Sequence, residues 1–271
     1  MKTVVITGCS SGYGRATALH FLDQGWNVIA TQRAKPLPLP ASDRLRVLQL
    51  DVTDRGSIAM AIRDAIALFG GLDAVVNNAG IGLLAAFEAT PEAAARELFE
   101  TNVFGVMAMT AAVLPHFRER GGGTLVNVTS SVGIVPMPLV SVYTASKYAI
   151  EGFTESLSYE LALIGVRAKI VEPGHGPTTR FTANGMRRME GLVSEAYAPY
   201  VAQIMGGMAP AKTTTELDVA RAVHLAVTDG TAQLRYPAGA DAEELAAMRR
   251  ALPGETYLDQ MRSVVGPRTR S

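Results

Sequence analysis

Short runs of β-branched and other apolar residues recur along the first 173 residues, with helical patterns between them. Each run is continuously hydrophobic rather than alternating, which is typical of a strand buried on both faces of a parallel sheet. This arrangement predicts an α/β fold, a doubly wound parallel sheet with helices on both faces. The runs lie at 2–7, 27–31, 46–50, 72–77, 124–129 and 166–173, and the helical patterns at 12–25, 54–69, 91–118 and 141–164.

The pattern becomes less regular after residue 174. Helical patterns resume near 187–206 and 216–228, and AQLRYP is a candidate for the last strand. Asp241 and Glu244 have the spacing of a capping box, which predicts a C-terminal helical extension over about 241–271. Three prolines in 34–42 predict an irregular loop there. Neither a repeat nor a long linker is visible, so we expect one domain over 1–271.

Composition narrows the function. With 25 basic and 25 acidic residues, the chain has no net charge to attract nucleic acid or a membrane surface. No apolar run approaches the roughly 20 residues that span a bilayer. A single cysteine, Cys9, gives neither a disulfide framework nor a thiolate metal site, and the four histidines lack metal-ligand spacing, so no metal is predicted. Without a signal-peptide pattern at the start, we expect a cytoplasmic protein.

The first strand leads into a glycine-rich turn and then into a helical pattern. Glycines at such a turn let the backbone approach a pyrophosphate, whose charge is favoured by the helix N-terminus. The spacing is G-x-x-x-G-x-G rather than G-x-G-x-x-G, and glycines at a turn can also be simple punctuation. The predicted dinucleotide contacts in this turn are Gly8, Ser10, Ser11, Gly12, Tyr13 and Gly14.

The end of the second strand selects the coenzyme, because an acidic residue there binds the ribose diol of NAD. This chain has Gln32 and Arg33 instead. A guanidinium can pair bidentately with a 2′-phosphate, so NADP(H) is the preferred cofactor and NAD(H) the alternative. Arg33 could also merely solvate a loop. Asp51 and Val52, which end the third strand, lie where the adenine is expected.

Seven motifs follow one another over roughly residues 3–178: TGCSSGYG, DVT at 51–53, NNAG at 77–80, Asn102, NVTSS at 127–131, YTASK at 143–147 and PGHGPT at 173–178. Together they resemble the single-domain form of the short-chain dehydrogenase/reductase family. The resemblance implies a Rossmann fold of about seven strands and an oxidoreductase. It also implies a catalytic tetrad of Asn102, Ser130, Tyr143 and Lys147, with Ser131 as the alternative serine. Asn78, Ala79, Gly80, Pro173, Gly174 and Thr178 are implied cofactor contacts, as are Tyr143 and Lys147.

Tyr143 and Lys147 lie one helical turn apart, a spacing that also occurs by accident on solvated surfaces. A Lys ammonium and an oxidised nicotinamide would favour tyrosinate, so we expect the pKa of Tyr143 to be lowered. Tyr143 is then the general acid in reduction and the general base in oxidation. Ser130 would hold the substrate oxygen. Asn102 would order a water that links Lys147 to solvent, or would simply satisfy a backbone group.

Substrate contacts are expected from Ile81–Phe87, Met137–Val140 and a lid over about 175–210. Apolar lid residues fit a small hydrophobic alcohol or carbonyl compound, or else only pack helices: Phe181, Met186, Met189, Tyr197, Tyr200, Met205 and Met208. The predicted function is hydride transfer between NADP(H) and that substrate, of the alcohol dehydrogenase or carbonyl reductase type. The alternative is a non-catalytic NADP(H)-binding sensor or scaffold. The helices at 91–118 and 141–164 resemble those through which family members form homodimers and homotetramers.

Overall fold

A seven-stranded parallel sheet forms the centre of the protein. The computed structural model describes residues 1–33, 39–207, 212–252 and 254–267. The strand order is β3-β2-β1-β4-β5-β6-β7, and every neighbouring pair is parallel. The predicted doubly wound α/β fold is therefore confirmed. The strands are β1 Thr3–Ile6, β2 Asn27–Gln32, β3 Leu45–Gln49, β4 Ala74–Asn77, β5 Gly123–Val128, β6 Val166–Pro173 and β7 Arg235–Ala238.

Alternate residues of the central strands enter two different cores. Val4 and Ile6 of β1 pack with one cluster, while Val5 between them packs with another. Because both faces are covered by helices, the strands read as continuous apolar runs. The helices are α1 Gly12–Asp23, α2 Arg55–Phe69, α3 Glu92–Phe99, α4 Gly105–Arg120, α5 Ser141–Ala162, α6 Arg180–Met189, α7 Ala198–Gly207, α8 Glu216–Thr228, α9 Ala240–Ala251 and α10 Gly254–Val265.

The first face is covered by α1 and α8, through Phe21 and Val223, and the second by α2, α4 and α5, through Ile62, Val113 and Leu157. Strand order reverses between β1 and β4, since β2 and β3 lie on one side of β1 and β4 to β7 on the other. The connections diverge at such a point and leave a crevice at the carboxyl ends of the strands, where ligands bind in this architecture.

Helices α3 and α4 are joined by a wide π turn at Glu100–Phe104 into one continuous helix of 29 residues, Glu92–Arg120. By length and composition this helix could cross a bilayer, so the expectation that no segment reaches that length is wrong. Half of its most apolar window is buried, and Met109 and Phe117 pack in the second core. These contacts are those of a core helix. The exposed Phe104, Tyr159 of α5 and Leu163 just after α5 lie in the two segments where subunit contacts were expected. Those contacts stay a prediction.

Helix caps are formed by different residues from those expected. Gly239 is the N-cap of α9 and no side chain caps it, so the capping box at Asp241 and Glu244 is wrong. The Asp241 carboxylate instead accepts the hydroxyl of Thr214 at 2.6 Å. A capping box does exist at α8, where Thr215 and Asp218 bond each other reciprocally. Two residue pairs, Thr215 with Asp218 and Asp241 with Glu244, therefore have the spacing of a capping box. Tertiary contacts decide which pair caps a helix.

The segment after β6 contains two helices where the sequence predicts one. A single helix is expected near 187–206, whereas α6 begins at Arg180 and residues 190–197 separate it from α7. The proline loop at 34–42 and Met208 fall largely or wholly outside the described residues.

Candidate functional site

A cleft of about 700 Å³ opens at the carboxyl ends of β1 and β4. It is lined by the glycine-rich turn after β1, by the end of β2, by the segment after β3 and by the loop after β4. The structure thus brings twelve of the predicted cofactor residues together: Gly8, Ser10, Ser11, Gly12, Tyr13, Gly14, Arg33, Asp51, Val52, Asn78, Ala79 and Gly80.

Close backbone contacts explain the glycines of the turn. Gly8 has φ +75°, and a Cβ there would lie 2.9 Å from Ala79 Cα. A Cβ on Gly14 would overlap the Gly8 carbonyl and lie 2.5 Å from Asn78 Nδ2. The two loops are tied by Asn78 Nδ2, which donates to the Thr7 carbonyl at 2.8 Å, and by the Thr7 hydroxyl, which accepts the Asn78 amide at 2.9 Å. This rigid, side-chain-free surface fits a diphosphate at the start of α1.

Tyr143, Ser130 and Lys147 meet beside the cleft. They are not among its lining residues, but Tyr143 packs on Phe181 and Lys147 lies next to Gly80, both of which line it. Tyr143 is only 7% exposed, and the Ser130 hydroxyl hydrogen-bonds its phenol. Lys147, one turn later on α5, places its Nζ 5.7 Å from the Tyr143 ring centroid and donates to the Val128 carbonyl at 3.2 Å. Ser131 begins the short turn Ser131–Gly133. The structure therefore brings the phenol together with Ser130 and with a buried cation.

Burial controls the protonation of these groups. Desolvation raises the pKa of Tyr143, and the Ser130 hydrogen bond offsets only part of the rise. The lowered phenol pKa expected from the sequence depended on the oxidised nicotinamide as well as on Lys147, and it stays a prediction for the complex; in the chain alone, burial raises the pKa of Tyr143. Burial also lowers the pKa of Lys147 to about 8, against a smaller opposing effect of Glu151. At neutral pH the phenol keeps its proton and the lysine is mostly cationic, a pair suited to donating a proton.

Asn102 lies in the π turn between α3 and α4, a type of helix defect that is frequent at functional sites. Its side-chain Oδ1 accepts the Ile81 amide and its Nδ2 donates to the Ile81 carbonyl, both at 2.9 Å. The Nδ2 also donates to the Ser146 hydroxyl at 3.2 Å. Asn102 thus joins the loop after β4 to α5, which is the backbone-satisfying alternative. The water relay to Lys147 stays a prediction.

The PGHGPT segment differs from the expectation. Among the described residues that line the cleft, Thr179 is present but Pro173, Gly174 and Thr178 are not. The Thr178 hydroxyl donates to the Glu216 carboxylate at 3.1 Å, so it turns toward α8. The Gly174 amide donates to the Thr214 hydroxyl at 3.1 Å. Of this part of the chain, the cleft is contacted first by Thr179, the residue after the last predicted contact, Thr178.

Helix α6 and the residues that flank it line the cleft, within the lid expected over about 175–210. Phe181 packs against the Tyr143 ring, with 5.5 Å between ring centroids, and a Cβ on Gly82 would lie 2.6 Å from Phe181 Cζ. Another apolar lid candidate packs elsewhere: the Tyr200 hydroxyl donates to the Val265 carbonyl, so α7 packs on α10. Ile81 and Gly82, which also line the cleft, belong to the expected substrate segment, whereas Leu50 and Thr101 were not expected in the site. The lining residues beyond the predicted cofactor contacts are Gln32, Leu50, Ile81, Gly82, Thr101, Thr179, Arg180, Phe181, Asn184, Arg187, Arg188 and Glu190.

Two buried carboxylates share one guanidinium near Lys147. Glu151 is 5% exposed and its Oε1 accepts the hydroxyl of Thr129 at 2.6 Å. Glu172, at the end of β6, is 1% exposed. Arg235 lies 3.2 Å from Glu151 Oε2 and 3.6 Å from Glu172 Oε1. Burial, with a smaller contribution from the charge of Glu151, raises the pKa of Glu172 to about 8.

We expect Glu172→Gln to flatten the pH dependence of stability. A carboxyl whose pKa is 4.5 when unfolded and about 8 when folded stabilises the fold fully below pH 4.5, and that contribution is lost as pH rises toward 8. A neutral glutamine does not titrate, so the variant does not lose stability in this way. The free energy of unfolding of Glu172→Gln minus that of the wild type should therefore be larger at pH 8 than at pH 5, by on the order of 1–3 kcal/mol. Urea unfolding at both pH values measures the difference.

Glu155→Gln is the matched control, because Glu155 pairs with the same Arg235 at 3.1 Å but is 53% exposed. Its stability should follow the wild type at both pH values. Parallel pH profiles for the wild type and Glu172→Gln would contradict the raised pKa.

The chain is similar in sequence to a known protein family and to several named proteins. A family model described as short chain dehydrogenase matches residues 2–188. An uncharacterized oxidoreductase of Schizosaccharomyces pombe is 36% identical over 229 residues, which cover 83% of this chain and 94% of that protein. The 3-ketodihydrosphingosine reductase of Bacteroides thetaiotaomicron is 36% identical over 183 residues, which cover 68% of this chain and 66% of that protein.

Solved structures are similar over most of the chain. A short-chain dehydrogenase from Streptomyces avermitilis is 34% identical with a TM-score of 0.77, over 97% of this chain and 93% of that one. The 3-ketoacyl-(acyl-carrier-protein) reductase of Brucella melitensis, complexed with NADH, is 25% identical with a TM-score of 0.73, over 87% and 96%. ElxO with NADP bound is 27% identical with a TM-score of 0.73, over 87% and 97%. Both nicotinamide coenzymes thus occur among similar structures.

Proposed function

Because this chain belongs to the short-chain dehydrogenase family, we propose that it transfers a hydride between NADP(H) and the alcohol or carbonyl group of a small hydrophobic substrate. The observation that carries the proposal is the buried Tyr143 phenol, hydrogen-bonded to Ser130 beside the Lys147 cation. A protein that only bound the nucleotide would gain nothing from this arrangement, which is suited to general acid catalysis.

The residues of the cleft fit a dinucleotide. The glycine-rich turn offers backbone at the start of α1 where a diphosphate would lie, and the cleft continues from Arg33 at the end of β2 to Phe181 beside Tyr143. When bound, the nicotinamide supplies the hydride, and the protein supplies position and electrostatics. Gly80 lies between both catalytic elements, because a Cβ there would be 3.2 Å from Asn102 Oδ1 and 3.8 Å from Lys147 Nζ.

Three side chains share the proton chemistry. Ser130 donates a hydrogen bond to the substrate oxygen and holds it against the phenol, which stabilises the negative charge that develops in reduction. Tyr143 then gives its hydroxyl proton to that oxygen, which its raised pKa allows because the phenol is fully protonated at neutral pH. Lys147 stabilises the resulting phenolate by its charge. In oxidation the same groups act in reverse.

The preference for NADP(H) rests on Arg33. Its guanidinium lies in the cleft at the end of β2, and no carboxylate occupies the position that would bind a ribose diol. A bidentate pair between guanidinium and phosphate is among the strong charge-assisted interactions in proteins. Because similar structures hold either coenzyme, it is this residue, not the family, that supports the choice.

Apolar surface near Tyr143 supports a hydrophobic substrate. Leu83 and Leu98 are buried in one cluster with the Tyr143 ring, and Leu192 packs on it. A side cavity of about 210 Å³ between α3 and α6 is lined by these three leucines and shares Ile81 and Gly82 with the lining of the cleft. A relative named as a 3-ketodihydrosphingosine reductase favours a keto compound as substrate.

The test is a panel of ketones, aldehydes, steroids and quinones, with the oxidation of NADPH or NADH followed by absorbance. We expect turnover with at least one apolar carbonyl compound and a higher kcat/KM with NADPH than with NADH. Tight NADPH binding without turnover on any member of the panel would instead favour the sensor or scaffold, and binding of neither coenzyme would contradict the proposed function altogether.

A further inference from the structure

Helix α6 lies across the dinucleotide cleft and touches both of its sides. At its start, Thr179 packs against the glycine-rich turn, since a Cβ on Gly12 would be 3.5 Å from Thr179 Cβ. Near its end, Arg188 forms a bidentate ion pair with Glu97 of α3, at 2.7 and 2.9 Å. The helix is therefore fixed at two points, with the cleft between them.

The face of α6 toward the cleft is polar and basic. Arg180, Asn184 and Arg187 follow each other at i, i+4 and i+7, so they share one helical face, and all three line the cleft. The Arg187 guanidinium donates to Asn184 Oδ1 at 3.2 Å, which keeps it on that face. With Arg33 and Arg188, four arginines line the cleft against two carboxylates, Asp51 and Glu190. Such an excess of cations attracts an anionic ligand.

Neighbouring contacts locate each arginine along the cleft. Arg180 begins α6 directly after Thr179, which packs on the glycine-rich turn, and it lines the cleft at that end of the helix. At the other end, Arg188 is already paired with Glu97, and the charge of Arg33 makes a smaller contribution to the lowered pKa of that carboxyl. Arg187 lies in this last turn of α6 and lines the cleft, as Arg33 does.

We propose that α6 binds the cofactor from above through two arginines with separate targets, Arg180 for the diphosphate and Arg187, opposite Arg33, for the 2′-phosphate. This inference rests on the proposed function, because it takes a dinucleotide to be the ligand. It makes coenzyme choice a property of the lid as well as of β2. A lid that gains a charge-assisted contact only with the 2′-phosphate closes more completely over NADP(H) than over NAD(H).

The test measures dissociation constants for NADPH and NADH by fluorescence titration, and for 2′,5′-ADP and 5′-AMP by calorimetry. We expect Arg187→Ala to weaken NADPH and 2′,5′-ADP by about tenfold, the loss of one charge-assisted contact, and NADH and 5′-AMP by less than about twofold. Arg180→Ala should weaken NADPH and NADH by equal factors. Arg187→Lys should recover part of the NADPH affinity, because the charge remains while the fork is lost.

Arg63→Ala is the matched control, since it removes one positive charge from the 72% exposed Arg63 of α2, away from the cleft. It should leave all four constants unchanged. A second readout is tryptic cleavage after Arg180 and Arg188, which 2′,5′-ADP should slow in the wild type and slow less in Arg187→Ala. This readout does not depend on turnover.

Unchanged NADPH affinity in Arg187→Ala, or equal losses for NADPH and NADH, would overturn the inference while leaving the proposed function intact. The same holds if Arg63→Ala weakens binding as much as Arg187→Ala, since the effect would then be net charge alone. Failure of the wild type to bind either dinucleotide would instead be a failure of the proposed function, so the two are distinguishable.

Discussion

Tyr143→Phe is expected to lower kcat/KM by about 10²- to 10⁴-fold, the usual contribution of a positioned general acid. The substitution removes one oxygen and leaves the ring that packs on Phe181. Affinity for NADPH should stay within about twofold of the wild type, because the lost hydroxyl serves proton transfer more than binding. Steady-state kinetics with the best substrate of the panel and a fluorescence titration of NADPH measure the two effects.

Tyr148→Phe is the matched control, since Tyr148 lies on the same helix and is 41% exposed, with its hydroxyl donating to the Ile134 carbonyl. It should keep near wild-type turnover. Full activity in Tyr143→Phe would remove the phenol from the mechanism. An equal loss in both variants would show that the loss comes from disturbing α5 rather than from the missing proton donor.

Arg33→Asp is expected to reverse the coenzyme preference. The substitution removes the guanidinium that pairs with a 2′-phosphate and adds a carboxylate that repels it and can accept a ribose diol. The ratio of kcat/KM with NADPH to that with NADH should fall by about 10²-fold or more, since a charge-assisted contact is lost and a repulsion is gained.

Arg63→Asp, the same change of charge on the exposed surface of α2, should leave this ratio where it was. A ratio that stays constant in Arg33→Asp would mean that Arg33 only solvates its loop. A loss with both coenzymes equally would indicate damage to the cleft rather than a change of specificity.

The sheet was readable from the sequence because both of its faces are buried. The strands are therefore apolar at consecutive positions, as Val4, Val5 and Ile6 are, and such runs are visible without any knowledge of neighbours. Glycines were equally informative: Gly8 and Gly14 leave no room for a side chain, so they mark the turn that a phosphate can approach.

Other features depended on contacts that no local pattern encodes. The pKa of Tyr143 is set by how deeply the phenol is buried, which the Tyr-x-x-x-Lys spacing does not contain. Thr178 and Thr179 are neighbours in the sequence and have the same side chain. Only the contact with Glu216 decides that Thr178 is the one that turns away from the cleft. Arg235 of β7 contacts Glu151 of α5 and Glu172 of β6, three residues that are far apart in the sequence.

The basic face of α6 is an intermediate case. The sequence has Arg180, Asn184 and Arg187 at helical spacing, but no helix was expected before about residue 187, and a polar helical face normally points to solvent. Only the packing of Thr179 on Gly12 and the pairing of Arg188 with Glu97 show that this face lies over the cleft.

A crystal structure of the complex with NADP⁺ tests the central claim most directly. We predict the nicotinamide ring at the carboxyl ends of β4 to β6 beside the Tyr143 phenol, with Ser130 still bonded to that phenol and Lys147 Nζ turned to the nicotinamide ribose. A nicotinamide bound elsewhere, or a Tyr143 ring that faces away from it with Ser130 and Lys147 out of reach, would contradict the account.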